Sequence, residues 1–319
     1  MLRTVLVILF IGCQSAQNVS ESESFSFKEI SENSKEKIIQ PEFFTSTDNT
    51  KIAYYKYKSK KSRANLIFIH GGGAHSGAGY QILAKKISEN GNTSVVLMDL
   101  RGHGLSEGAR GDSPSPEQMY QDVKTLIELI KSTDSQPVYL GGHSSGGGLV
   151  LNYSSWDKKS DPDGYIFVSP ELGYKSGTAR EDMKEPFAKP RLWVFILSAF
   201  SGGNLFGNTA AVYLNYPKEV LKKDPLLITS LTRNTAVALT PDNPPEQFRK
   251  LNRRTGLFVG EKDELFVPEK VTAYLILLNK SSEEKSKSAI IKNENHLSII
   301  SGIDKAAVSL FNEWVAGKR

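Results

Sequence analysis

A chain of 319 residues is long enough to bury a sizeable core, as one large domain or two smaller ones. With 39% hydrophobic and 24% charged residues its composition is that of an ordinary globular protein. The net charge of +5 comes from lysines scattered along the sequence, and the absence of a basic cluster interleaved with aromatics argues against nucleic acid as a partner.

The chain opens on MLRTVLVILFIGC, with a basic Arg3, an apolar run from Val5 to Ile11, then Gly12 and Cys13. That run is too short for a permanent membrane span, which predicts a secretory signal over residues 1–12. Its end resembles a bacterial lipobox, although Phe10 stands where that pattern usually has leucine. The resemblance implies that Cys13 carries the lipid of an exported, membrane-anchored lipoprotein. Cys13 is the only cysteine, which argues against a disulfide framework and for a dedicated role. An ordinary signal peptide cut near Ala16, releasing a secreted or periplasmic protein, is the alternative. The following residues 13–42, rich in Ser, Glu, Asn and Lys, bury too little apolar surface to order themselves and read as a flexible tether.

The body is expected over residues 43–319. KIAYYKYKS (51–59) alternates like a half-buried strand, whereas NLIFIH (65–70), TSVVLMDL (93–100), PVYLGGH (137–143), GYIFVSP (164–170) and TGLFVG (255–260) are short apolar runs suited to strands buried on both faces. Helical stretches lie between them. In SPEQMYQDVKTLIELIKS, Met119, Val123, Leu126, Ile127 and Ile130 recur at helical spacing behind Ser115 and a first-turn proline. The alternation predicts an α/β fold on a mostly parallel sheet with an antiparallel edge. About 80 residues between VSPELGY and TGLFVG contain no strand-like run, too long for an ordinary βα connection. They predict a helical cap insertion at about 171–250, whose apolar RLWVFILSAF (191–200) is either a buried helix or the greasy inner face of the cap.

The stretch VYLGGHSSGGGLV (138–150) places two serines between glycines directly after a strand. A nucleophile displayed on a sharp strand-to-helix turn needs small residues two before and two after it. Centred on Ser144 these are Gly142 and Gly146; centred on Ser145 one would be His143. The spacing therefore selects Ser144 as nucleophile and puts Ser145 at the first helical position, its amide free to donate. A phosphate loop would need a lysine after the glycines, and HGGGAHSG has Ser76 where a dinucleotide loop needs its third glycine, so both nucleotide readings fail.

A serine needs a base, and the base a carboxylate. Of the five histidines only His296 follows Ser144, so it is the expected base if the chain order serine, acid, histidine of α/β hydrolases applies. Asp263, just after the strand TGLFVG, is the expected acid, with Glu261 as runner-up and Glu264 also competing; a merely solvated acidic turn is the bland reading. An oxyanion needs two N–H donors. The amides of Ser145 and of Gly72, on the glycine loop after an earlier strand, are best placed, and His70 is expected to orient that loop.

Taken in order, HGGGAHSGAGYQILAKKI, VVLMDLRGHGLSEG, GGHSSGGGLVL, GEKDELFVP and ENHLSII resemble the motifs of the α/β-hydrolase superfamily, most narrowly its monoacylglycerol lipase and lysophospholipase-like branch. The resemblance runs from about Phe43 to the C-terminus. It implies an eight-stranded sheet with a helical cap and a serine esterase that uses no metal or cofactor. Ser144, Asp263 and His296 match its triad, Gly72 and Ser145 its oxyanion hole, and RGHG (101–104) a loop that shapes the fold. Ser145 departs from the methionine common in this branch. The expected activity is hydrolysis of a small-molecule or lipid ester, of monoacylglycerol or lysophospholipid type. The alternatives are an amide or peptide hydrolase, with Glu171, Glu181, Asp182 and Glu185 as anchors for an amino group, and a non-catalytic binding lipoprotein.

Overall fold

The computed structural model describes residue 27 and residues 38–181, 186–203 and 205–316. Cys13, the signal segment, most of the tether, Asp182 and Glu185 lie outside the described residues. The described part of the tether touches the body: Phe27 packs its ring against Phe187 and Tyr216, and Ile38 packs on the core.

The main sheet has eight strands in the order β1-β2-β4-β3-β5-β6-β10-β11. The edge hairpin, β1 (Glu42–Thr45) and β2 (Lys51–Tyr57), runs antiparallel to its neighbours, as the early alternation predicted. The remaining strands are parallel: β3 (Ala64–Ile69), β4 (Thr93–Met98), β5 (Val138–His143), β6 (Gly164–Val168), β10 (Arg254–Gly260) and β11 (Lys287–Ile291). Every residue of β3, β4, β5 and β6 is buried, because helices cover both faces, which is why these strands read as unbroken apolar runs. On one face α2 (Pro116–Thr133) and α3 (Ser145–Ser154) bury Met119, Val123, Leu126, Leu149 and Leu151; on the other, α1 (Tyr80–Asn90) buries Leu83 and Ile87 beside the C-terminal helix Asp304–Ala316. Helix α2 begins where Ser115 accepts the Gln118 amide at 3.1 Å, with proline in its first turn.

The insertion between β6 and β10 differs from the expected all-helical cap. It holds a three-stranded antiparallel sheet, β7 (Ala188–Pro190), β8 (Ala210–Leu214) and β9 (Ser230–Thr232), together with helices α4 (Leu192–Phe200), α5 (Lys218–Lys223), α6 (Arg233–Leu239) and α7 (Pro244–Lys250). Strands of three to five residues are too short to show a period of two. Helix α4 is not the buried helix that its apolar run allowed. It buries only Val194 and Ser198, leaving Leu192 66% and Phe200 86% exposed, with Trp193, Ile196 and Leu197 also at the surface. The greasy face is open to solvent.

Candidate active site

Parallel strands end on one edge of the sheet, and the loops after β3, β5, β6, β10 and β11 meet there. After β5 the backbone turns at Ser144 with φ 53° and ψ −127°, a conformation unusual for a residue with a side chain, and enters α3 at Ser145. The turn leaves no room beside it. A Cβ on Gly142 would lie 2.4 Å from the Gly146 carbonyl carbon, and one on Gly146 would lie 2.4 Å from the His70 carbonyl oxygen. The strained residue is clamped: its amide donates to Val168 at 3.0 Å, and its carbonyl accepts from the amides of Gly147 and Glu171, each at 2.9 Å.

The structure brings Ser144, His296 and Asp263 into one line. Ser144 Oγ lies 3.0 Å from His296 Nε2, and His296 Nδ1 lies 3.0 Å from Asp263 Oδ2. Asp263 and His296 are buried, while Ser144 is partly open. The second oxygen of Asp263 accepts the amides of Leu265 and Phe266, each at 2.9 Å. Burial alone would raise the Asp263 pKa, but the interaction with His296 and the hydrogen bonds from His296, Ser169 and the Phe266 amide outweigh it and hold the carboxyl below its usual range. An ionised carboxylate so placed keeps the imidazole proton on Nδ1 and leaves Nε2 bare to take the serine proton. The competing acids have separate places: Glu264 accepts the His296 amide and Glu261 the Asn293 amide, each at 2.9 Å. All three serve the histidine loop.

Facing this line is the glycine loop after β3. Gly72, Ser144 and Ser145 are partly open among buried neighbours. The Ser145 amide sits at the first position of α3, where no intrahelical acceptor exists. The Gly72 amide donates to the Ser145 hydroxyl. His70 holds the loop in place, its Nδ1 2.8 Å from the Gly71 carbonyl and its Nε2 accepting the Leu100 amide at 3.1 Å. Leu231 and Leu239 of the insertion line this floor, 3.4 and 3.6 Å from where a Cβ on Gly72 would stand.

Sequence reasoning missed a relay beneath the turn. The Gly71 amide donates to Tyr80 Oη at 2.8 Å, Tyr80 Oη lies 2.9 Å from His143 Nδ1, and His143 Nε2 lies 2.8 Å from the His296 carbonyl. With Nε2 donating to that carbonyl, Nδ1 must accept from the tyrosine, which fixes the tautomer and links the glycine loop to the histidine loop. Burial and the nearby His296 push His143 down to about 3, so it stays neutral. His143, the residue just before the serine of G-x-S-x-G, was a signal for this; nothing local marked Tyr80. His75, a little further along the glycine loop, pairs with Asp224 of the insertion at 2.8 Å. The RGHG stretch does structural work, with Arg101 bridging Asp122 at 2.6 Å and Asp48 at 2.9 Å. Of the four acids considered as amine anchors, Glu171 lies beside Ser144 and its burial raises its pKa, whereas Glu181 is exposed at the surface.

The sheet order and the serine–histidine–aspartate line define a serine hydrolase of the α/β-hydrolase fold. The family model described as serine aminopeptidase S33 matches residues 60–296, most of the chain, and the chain belongs to that family. Among curated relatives, an abhydrolase domain-containing protein of Dictyostelium discoideum is 43% identical over 110 residues, covering 34% of this chain and 11% of the relative. Lysophosphatidylserine lipase ABHD12 of Danio rerio is 31% identical over 160 residues, covering 48% of this chain and 40% of the relative. The chain thus spans well under half the length of these relatives. Among solved structures, the monoacylglycerol lipase of Paleococcus ferrophilus superposes with a TM-score of 0.60 at 21% identity, over 84% of this chain and 99% of that one, a likeness of fold.

Proposed function

We propose that this protein hydrolyses carboxylic esters, of monoacylglycerol or lysophospholipid type, through an acyl-enzyme on Ser144. The observation that carries the reading is the Ser144–His296–Asp263 line, with the serine partly open at the start of α3. Ser144 Oγ attacks the acyl carbonyl while its proton passes to His296 Nε2, and the carbonyl electron pair moves onto oxygen. His296 then protonates the departing alcohol. Water repeats the sequence in reverse and frees the acid. Asp263 stays ionised and stabilises the imidazolium. Apolar Leu231 and Leu239 at the floor suit an acyl chain. The solvent-exposed apolar face of α4 suits substrates presented at a lipid surface, as do the lipase names among the relatives. Within the same proposal, Cys13 carries a lipid that holds the exported protein at a membrane; loss of radiolabelled palmitate from the Cys13→Ser protein tests that part.

The amide-hydrolase alternative has the family description in its favour and one nearby acid, Glu171, whose amide bonds the Ser144 carbonyl and whose carboxyl accepts the Gly173 amide. A panel of p-nitrophenyl and glyceryl esters graded by chain length, run beside aminoacyl anilides, separates the two. Ester turnover that vanishes in Ser144→Ala is expected. Turnover of anilides but not esters would overturn the ester reading, and full ester turnover by Ser144→Ala would overturn the mechanism.

A further inference from the structure

We propose that the Ser145 hydroxyl is a third donor to the oxyanion, acting as an acceptor while the site is empty and as a donor once charge develops. This rests on the esterase reading above and goes beyond it, because that reading uses only the Ser145 backbone. The hydroxyl accepts the Gly72 N–H, and a Cβ built on Gly72 would lie 2.8 Å from Ser145 Oγ, so the two residues face each other with nothing between them. On the oxyanion-hole assignment that the resemblance implies, the Gly72 amide serves the oxyanion of the Ser144 adduct, and in the free protein that N–H is already in use.

An arriving oxygen therefore competes with a hydroxyl for the same proton. A neutral substrate carbonyl exchanges one ordinary hydrogen bond for another and gains little. An oxyanion differs. It takes the Gly72 N–H outright, and the displaced hydroxyl, a group that can donate as well as accept, is left within reach of an anion to which it can turn its own O–H. Charge-assisted hydrogen bonds are roughly twice as strong as neutral ones. The switch from acceptor to donor thus favours the tetrahedral state over the ground state, which is the kind of contact that raises kcat without tightening substrate binding. Ser145 is partly open, as is Ser144, so the hydroxyl has room to turn. Methionine, common at this position in the branch that the sequence resembles, has no donor to offer.

The test uses p-nitrophenyl butyrate turnover by the full chain, with active sites counted by fluorophosphonate labelling so that misfolded protein is not scored as slow enzyme. Removing one of two oxyanion donors costs about 100- to 1,000-fold in kcat. With both amides retained, Ser145→Ala is expected to lose about tenfold in kcat while KM stays level or falls, since the Gly72 N–H becomes free for the ground-state carbonyl. Ser145→Thr, which keeps the hydroxyl, should restore most of kcat, and Ser145→Met should not. The inhibition constant of a trifluoromethyl ketone, which forms a tetrahedral adduct, should weaken in step with kcat/KM. An unchanged or higher kcat in Ser145→Ala, with the ketone binding as before, would show that the hydroxyl merely fills an empty hole and would overturn the proposal. Wild-type protein that takes the label but turns over no ester would instead overturn the esterase reading.

Discussion

Lowering the pH from 7.5 to 5.5 should unfold this protein far more readily than its carboxylates alone would dictate. His70, His103 and His143 are each at most 1% exposed, and burial pushes them down to about 4, about 3 and about 3. His103 makes the case most plainly: its Nδ1 lies 2.9 Å from the Arg101 carbonyl, and its Nε2 is buried without a hydrogen-bond partner among the described residues, so a second proton finds no acceptor there. The unfolded chain protonates each ring near pH 6.5, the folded chain only near 3 to 4. Between those limits the unfolded state binds more protons, so stability is full above about pH 6.5 and falls as the pH drops. At pH 5.5 each histidine removes about 1.4 kcal/mol, and the three together about 4 kcal/mol, against the roughly 5–15 kcal/mol of a typical domain. Urea unfolding followed by tryptophan fluorescence at pH 7.5, 6.5 and 5.5 measures the slope, and His103→Phe should reduce it by about one third even if its absolute stability differs. A urea midpoint that does not move between pH 7.5 and 5.5, or a slope untouched by His103→Phe, would refute the reasoning.

Other outcomes follow from the same geometry. Asp263→Asn keeps the fold but leaves His296 without the charge that fixes its tautomer; kcat should fall by about 10,000-fold with an unchanged melting temperature, as judged by ester assay and calorimetry. Gly146→Ala drives a Cβ to 2.4 Å from the His70 carbonyl oxygen and 2.6 Å from that of Ile69, both backbone atoms, so it should cost more than about 3 kcal/mol in urea unfolding or prevent soluble expression. Glu264→Ala removes the acceptor for the His296 amide and should lower kcat about tenfold while leaving KM within twofold, whereas Glu261→Ala, one step farther along the loop, should do much less. Cutting the His75–Asp224 pair with Asp224→Asn should make the insertion more readily cleaved by trypsin, without change in the sheet's circular dichroism.

Much of the framework was legible because its signals are local. Strands covered on both faces must be apolar throughout, and β3, β4, β5 and β6 stood out for that reason. The choice of Ser144 over Ser145 followed from the space that a sharp turn leaves, and the structure has backbone atoms where any side chain on Gly142 or Gly146 would go. Edge strands gave weaker signals. KSAII, half exposed as β11, shows no clear alternation, although it carries the histidine loop. The insertion was misread as wholly helical because AAVYL suits a helix as well as a strand, and only pairing with its two neighbours decides between them.

Residue size and apolar runs were enough to determine the layered α/β sheet and the turn at Ser144, since each depends on what a residue is and on its near neighbours; His296 was chosen by its place in the chain order after Ser144. What only the tertiary structure decided depends on groups far apart in sequence meeting at one edge of the sheet. Tyr80 and His143 tie the glycine loop to the histidine loop, Glu264 holds the His296 amide, α4 leaves its apolar face open to solvent, and the Ser145 hydroxyl faces Gly72. Hydrogen bonds and packing of this kind are set by the paths of separate strands and loops in space, and no spacing along the chain records where those paths converge.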